Sequence, residues 1–300
     1  MGSWRSWSAV PLVAVVLALA TACGSSTKTT TTSSTASTPT VAANPAVEKL
    51  VPAAVKSKGT LTVAADASYA PNEFIASDGH TVVGMDPDLM KALGAVMGVR
   101  VKVVNVPFDS IIPGMQAGKY DVGASSFTDT KAREKTVDFV TYLDVGEAFL
   151  TKAGTGVHPK SLADLCGLTV SVEAGTTELS DATNQNKKCT TAGKPAVKLL
   201  TFPDQNGANL ALRSGRAQVD FADSPIIAYQ VRQLGVQVQS SPTFGVAPYG
   251  LALPKSNGMD KAVLAALKVL MQKGTYLAIL KRWQLESAAI SNPKINGATS

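Results

Sequence analysis

Two stretches of this chain follow one plan, and that repetition limits the fold more than any single residue does. Leu61-Thr62-Val63-Ala64-Ala65 reads as a short strand, and so does Leu168-Thr169-Val170-Ser171-Val172. Behind the first come a polar loop, then a helix over 87–97 with Leu89, Met90, Leu93 and Val96 at helical spacing. A β-branched strand over 99–106 follows, then a short helix begun by Asp109 and stopped at Gly118, then a strand over 121–124. Behind the second, Gly175-Thr176-Thr177 opens a helix, 197–202 is a strand, 206–213 a helix, and Val219-Asp220-Phe221-Ala222 the closing strand. Alternating strands and helices predict parallel-rich sheets covered by helices. Two such units predict two α/β lobes with a cleft between them. Ligands bind such sheets at the carboxyl ends of the strands. The loops there are 66–69, 125–130, 175–177 and 223–225.

The chain then returns through a strand at Leu251-Ala252-Leu253 and helices over 261–272 and 276–283, with Leu277, Leu280 and Trp283 expected in the core. That return predicts two crossings between the lobes, near 148–153 and 242–247. The predicted parts are 58–148 with 247–286 for the first lobe, 149–246 for the second, and a flexible tail over 287–300.

Within this plan the stretch 120–138 carries the clearest chemistry. A strand gives way to Ser125, Ser126, Thr128 and Thr130, and Arg133 follows. A guanidinium beside hydroxyls and free backbone N–H groups can hold a carboxylate through a planar pair of bonds. The alternative is a surface turn with a solvated arginine.

The charge balance excludes other classes. The formal charge is +6, but it comes from scattered Lys and Arg, and aromatics are only 6% of the chain. Nucleic-acid binding is not expected. Two histidines, His80 and His158, and three cysteines are too few and too dispersed for a metal centre. No Ser/His/Asp order, cysteine nucleophile or phosphate-cradling loop is present, so neither a catalytic residue nor a cofactor is expected.

Residues 1–22 read as a signal peptide: Arg5 precedes an apolar run over 9–22 that is short for a membrane span. The run ends in Leu19-Ala20-Thr21-Ala22-Cys23, which resembles a bacterial lipobox, so Cys23 is expected to carry lipid. The alternative is ordinary cleavage. Ser, Thr, Ala, Gly and Pro dominate 24–45, and residues 23–57 are expected to form a disordered tether. With Cys23 lipidated, Cys166 and Cys189 remain as an even pair in an oxidising compartment, and a disulfide is expected. The alternative is two buried thiols.

Several short stretches, in order, resemble the family 3 extracellular solute-binding proteins that serve ABC importers of polar amino acids. They are Gly84-Met85-Asp86-Pro87-Asp88-Leu89, Gly118-Lys119-Tyr120-Asp121, Thr130-Lys131-Ala132-Arg133 with Val137-Asp138-Phe139, Gly175-Thr176-Thr177, and Lys273-Gly274-Thr275-Tyr276 with Lys281-Arg282-Trp283. The resemblance spans about 58–286. It implies a two-lobed periplasmic-binding-protein-like fold of type II with a ligand cleft and two hinge crossings. It also implies an amino-acid ligand, ABC permease subunits as partners and a lipid-anchored, monomeric receptor on the outer face of the cell membrane. Arg133 is similar to the family's arginine for the α-carboxylate, Ser126, Thr128 and Thr177 to its further donors, and Asp223 to the acid for the α-ammonium. Tyr69 and Phe108 are similar to the residues flanking the ligand side chain, and Asp66 to one that reaches a cationic side chain in some members. Pro71-Asn72-Glu73 stands where P-F-E is usual, and Thr141-Tyr142-Leu143 where P-Y-Y is common. Asp66, Glu73, Glu173 and Glu178 near the cleft favour a cationic or polar uncharged ligand; the alternative for each glutamate is a solvated loop position. Two rival functions stay open: a small-carboxylate dehydratase on the same fold, with Glu178 as general acid, and an amino-acid sensor acting through a partner chain.

Overall fold

The computed structural model describes residues 41–255 and 257–299. The expected signal peptide and the expected lipidation site at Cys23 lie outside the described residues.

The described residues open with two one-turn-and-a-half helices, α1 (Pro45–Leu50) and α2 (Ala53–Lys58). This corrects the expectation of a disordered tether as far as residue 57. Asn44 caps α1 by accepting from the Ala46 and Val47 N–H groups, and Val47 and Val51 are buried in the core of the first lobe. Two apolar side chains at helical spacing anchor what composition alone marks as linker.

The first lobe continues with β1 (Thr60–Ala65), the small hairpin sheet β2 (Ser68–Tyr69), β3 (Glu73–Ile75) and β4 (Val82–Val83), then α3 (Met85–Met97), β5 (Arg100–Asn105), α4 (Phe108–Gln116) and β6 (Val122–Gly123). β7 (Val137–Lys152) leads into the second lobe: β8 (Thr169–Glu173), α5 (Thr177–Thr191), β9 (Lys198–Phe202), α6 (Gln205–Arg213), β10 (Val219–Asp223), α7 (Ser224–Leu234) and β11 (Val238–Ser240). β12 (Phe244–Pro254), α8 (Met259–Gln272) and α9 (Thr275–Trp283) return to the first. The strand order is β5-β1-β6-β12-β7-β10-β8-β9, with β11 beside β7. β5-β1-β6 and β10-β8-β9 are parallel; β7 and β12 join them through antiparallel ladders.

β7 is the element that the sequence pattern did not reveal. At about 3.3 Å per residue its 16 residues extend roughly 50 Å, enough to traverse both lobes. Val137 to Glu147 pair with β12 along one edge, and Glu147 to Thr151 pair with β10 along the other. Beyond Glu147, β11 takes the place of β12 beside Leu150 to Lys152, so the change of neighbour falls at 147–150. β12 shows its own register shift between Phe244 and Ala247. In the second lobe the sheet is covered on both faces. Ala148 and Leu150 of β7 meet Leu212, Ile226 and Ile227, while Phe149 faces Val170, Ala182 and Cys189.

α3 shows why the Gly84-Met85-Asp86 stretch needs its glycine. Gly84 precedes the helix at φ 135°, and a Cβ there would lie 2.2 Å from the Asn72 carbonyl oxygen. Gly84→Ala is expected to cost about 2–4 kcal/mol in chemical denaturation, and wild-type stability would refute this account. Cys166 and Cys189 are bonded, which ties the loop before β8 to the end of α5. Closing a loop of that length is worth about 3 kcal/mol, so reducing agent should lower the melting midpoint by roughly 6–10 °C. An unchanged melt with both thiols titratable after reduction would sink that estimate.

The expected free tail is instead held down over 289–298. Residues Ala289 and Ile295 bridge to Leu143 and Val140. Phe139 N–H donates to the Asn296 side chain at 2.8 Å, and Gly297 N–H donates to Asp129 at 2.7 Å. The edge groups of β7 are thereby paired rather than left open. Leu280 is buried as expected, and Trp283 is half-buried with its N–H on Asp88, but Leu277 is 40% exposed because it points off the outer face of α9.

Candidate functional site

The loops at the carboxyl ends of the strands converge on one narrow cavity between the lobes. All eight expected ligand-site residues line it: Asp66, Tyr69, Phe108, Ser126, Thr128 and Arg133 from the first lobe, Thr177 and Asp223 from the second.

Hydrogen bonds join the lobes across it. Tyr69 Oη donates to Asp223 Oδ2 at 2.9 Å, and Arg133 donates to the Gly175 carbonyl at 3.0 Å. The Thr128 and Thr177 hydroxyls lie 3.3 Å apart, and Gln205 N–H donates to Ser68 Oγ at 3.0 Å. The lobes are therefore closed over the cavity.

Arg133 begins a short 3₁₀ turn, Arg133–Lys135, behind the hydroxyl-rich loop. It is held rather than solvated. One guanidinium nitrogen donates to the Thr128 carbonyl at 2.8 Å, and the carbon lies 5.4 and 5.3 Å from the Phe108 and Phe127 ring centres. The two rings stack on each other at 4.4 Å, which fixes the plane of the guanidinium. Two of its five N–H groups are used in these bonds, leaving others for a carboxylate. Thr177 is the first residue of the 15-residue α5, whose free N–H groups and dipole add to an anion site.

Ser126 is a partial exception to its expected role. Its φ is 53°, rare for a residue with a side chain. Its hydroxyl donates to Glu73 at 3.3 Å and accepts from Asn72 at 2.8 Å, and its N–H donates to Asp86 at 3.0 Å. It thus anchors a buried acidic network as well as lining the cavity.

The cavity wall also contains Glu73, Ser125, Glu173, Thr176 and Glu178. The three glutamates are buried, at 0%, 2% and 2% exposure, so the solvated alternative fails. Five carboxyl groups face one guanidinium. Burial pushes Glu73 well above the usual carboxylate range, and the neighbouring Asp86 adds to it; these two share protons as a pair. Burial, then the charge of Glu178, does the same to Asp223. Asp66 is raised by burial too, against the pull of the Ser68 and Phe108 N–H groups. Burial lowers Arg133, while Glu178 and Asp223 hold it charged. Such a wall is short of positive charge and is completed by a ligand that brings cations.

A two-lobed α/β body closed over a cavity walled by one guanidinium and five carboxyls has the architecture of a solute-binding protein. The chain belongs to the bacterial extracellular solute-binding proteins, family 3, whose sequence profile matches residues 61–286. It is 32% identical over 256 residues to the arginine-binding protein ArgT of Corynebacterium glutamicum, covering 84% of this chain and 83% of that one. Among solved structures it resembles an ancestral arginine-binding protein bound to arginine, with TM-score 0.70, 34% identity and coverage of 75% and 98%. It also resembles the ancestral amino acid-binding protein AncCDT-1, a precursor of cyclohexadienyl dehydratase, with TM-score 0.69, 33% identity and coverage of 77% and 97%.

Proposed function

We propose that this protein captures L-arginine outside the cell and delivers it to the membrane subunits of an ABC importer. The observation that carries the reading is the charge of the cavity: five buried carboxyls around one clamped guanidinium. Arginine's α-carboxylate meets Arg133, Thr128 and Thr177. Its α-ammonium meets Asp223 and Glu178, and its guanidinium reaches Asp66 and the glutamates at the other end. Tyr69 and Phe108 flank the aliphatic stem. Each ligand charge then has a partner once water leaves. The arginine-binding names of the related proteins support the same ligand.

Cavity residues from both lobes make closure and binding one event. On this reading the protein acts as a monomer moored to the outer face of the membrane by lipid on Cys23, and it releases its ligand unchanged. The test is a thermal-shift panel of the amino acids with ornithine and citrulline. A ligand of the folded form at a thousand times its Kd adds about 4 kcal/mol. Arginine should give the largest rise, and mass spectrometry should recover it intact. No rise with any basic amino acid would overturn the proposal, and a converted product would favour the dehydratase alternative.

A further inference from the structure

We infer that Glu173 is the residue by which the cleft distinguishes a guanidinium from its neutral counterpart, by giving up a proton to the one and keeping it for the other. The inference rests on the arginine reading of this cavity.

Glu173 is the last residue of β8, in the cavity wall of the second lobe. Its backbone is fixed because its carbonyl accepts the Thr176 hydroxyl at 2.9 Å. Its side chain is 2% exposed, and Oε1 has no hydrogen-bond partner among the described residues. Asp66, which faces it from the first lobe, is different. Ser68 N–H donates to one of its oxygens at 3.1 Å and Phe108 N–H to the other at 3.0 Å. Phe108 starts α4, so the helix dipole also favours the charged form of Asp66. Of these two carboxyls, Asp66 is given backbone donors that favour its charged form, whereas Glu173 Oε1 is given none.

The groups around Glu173 offer it no positive charge. Asp66 faces it from the end of β1, Glu178 from α5, and Asp204 from the start of α6. Glu73 and Tyr69 complete the wall, and the Tyr69 hydroxyl is spent on Asp223. The cavity's one guanidinium, Arg133, is hydrogen-bonded to the Thr128 and Gly175 carbonyls. Burial, then the charge of Asp66, pushes Glu173 well above the usual carboxylate range. In the closed cleft Glu173 therefore holds a proton unless the ligand brings a cation to it.

Arginine and citrulline have nearly the same shape, and they ask opposite things of that carboxyl. A guanidinium only donates, so it pairs with ionised Glu173. A ureido group carries a carbonyl oxygen, which accepts from protonated Glu173. The citrulline complex thus holds one proton more than the arginine complex. By linkage, the preference for arginine over citrulline rises about tenfold per pH unit across the interval where that difference persists. Acidity favours the neutral ligand, and alkalinity the cation.

The test is calorimetry of the full protein with arginine and with citrulline, in phosphate and in Tris, between about pH 5 and 8. The two buffers differ in ionisation enthalpy, so the proton count follows directly. Wild type should show about one more proton held with citrulline than with arginine. In Glu173→Gln that difference should vanish, arginine affinity should fall at least about tenfold, and citrulline affinity should stay within a few-fold. Equal proton counts in wild type, a difference that survives Glu173→Gln, or citrulline that binds at no pH in the range would each overturn the inference. Failure of arginine itself to bind would instead overturn the underlying ligand assignment.

Discussion

Arg133→Ala is expected to raise the Kd for arginine by two to nearly four orders of magnitude while leaving the fold intact. The guanidinium sits against the Phe108 and Phe127 rings and donates to carbonyls of both lobes. Alanine removes the partner of the ligand carboxylate and also the cation that Glu178 and Asp223 face. Removing one partner from a buried charge pair costs about 3–5 kcal/mol, which is the stated range in Kd. Arg133→Lys retains charge but not the planar fork, and a point charge cannot donate to Thr128, Gly175 and a carboxylate in one plane. It should recover only part of the loss. Calorimetry with circular dichroism as the fold control decides the matter, and wild-type affinity in Arg133→Ala would remove this residue from the site.

Gly175→Ala should weaken arginine binding by about ten- to a hundredfold through closure rather than through contact. Gly175 lies in the second lobe at φ +80°, and a Cβ there would be 2.9 Å from Asp109 Cβ and 3.1 Å from Asp109 Cα in the first lobe. The clash exists only when the lobes meet. Overpacking of this kind costs about 1–3 kcal/mol, and here that cost falls on the closed form alone. The positive φ adds a strain common to both forms, which lowers stability without changing affinity. Dissociation should quicken, and the ligand-induced contraction in small-angle scattering should shrink. Combining Gly175→Ala with Asp109→Gly should recover part of the affinity. An unchanged dissociation rate in the single variant would show that the closed lobes are not the binding form.

The cavity-lining residues and the lobe plan were legible because both rest on local signals. Apolar spacing marks α3, β-branched runs mark β5 and β8, and a run of small hydroxyl residues before Arg133 marks a turn. The resemblance across 58–286 then placed the eight residues that the fold gathers. β7 escaped because its residues are buried on both faces, so no alternation of polar and apolar positions outlines it. Its exchange of β12 for β11 along one edge, with β10 on the other, is a long-range arrangement that no window of sequence contains.

By itself, then, the sequence determined the class of elements, their order, the hydroxyl-rich turn before Arg133 and the acidic sign of the cleft. Only the tertiary structure decided what that acidity means. Asp66, Glu73, Glu173, Glu178 and Asp223 are spread over more than 150 positions, and as isolated residues they are unremarkable surface acids. Folding brings them to one cavity and strips their water, and a carboxyl without water or a cation holds its proton. The same holds for the segments beside the family match. Val47 and Val51 at one end, and 289–298 at the other, look like linker until the buried face of α3 and α8 and the open edge of β7 give them something to pair with. Burial is a property of the neighbours a residue acquires, and those neighbours are far away along the chain.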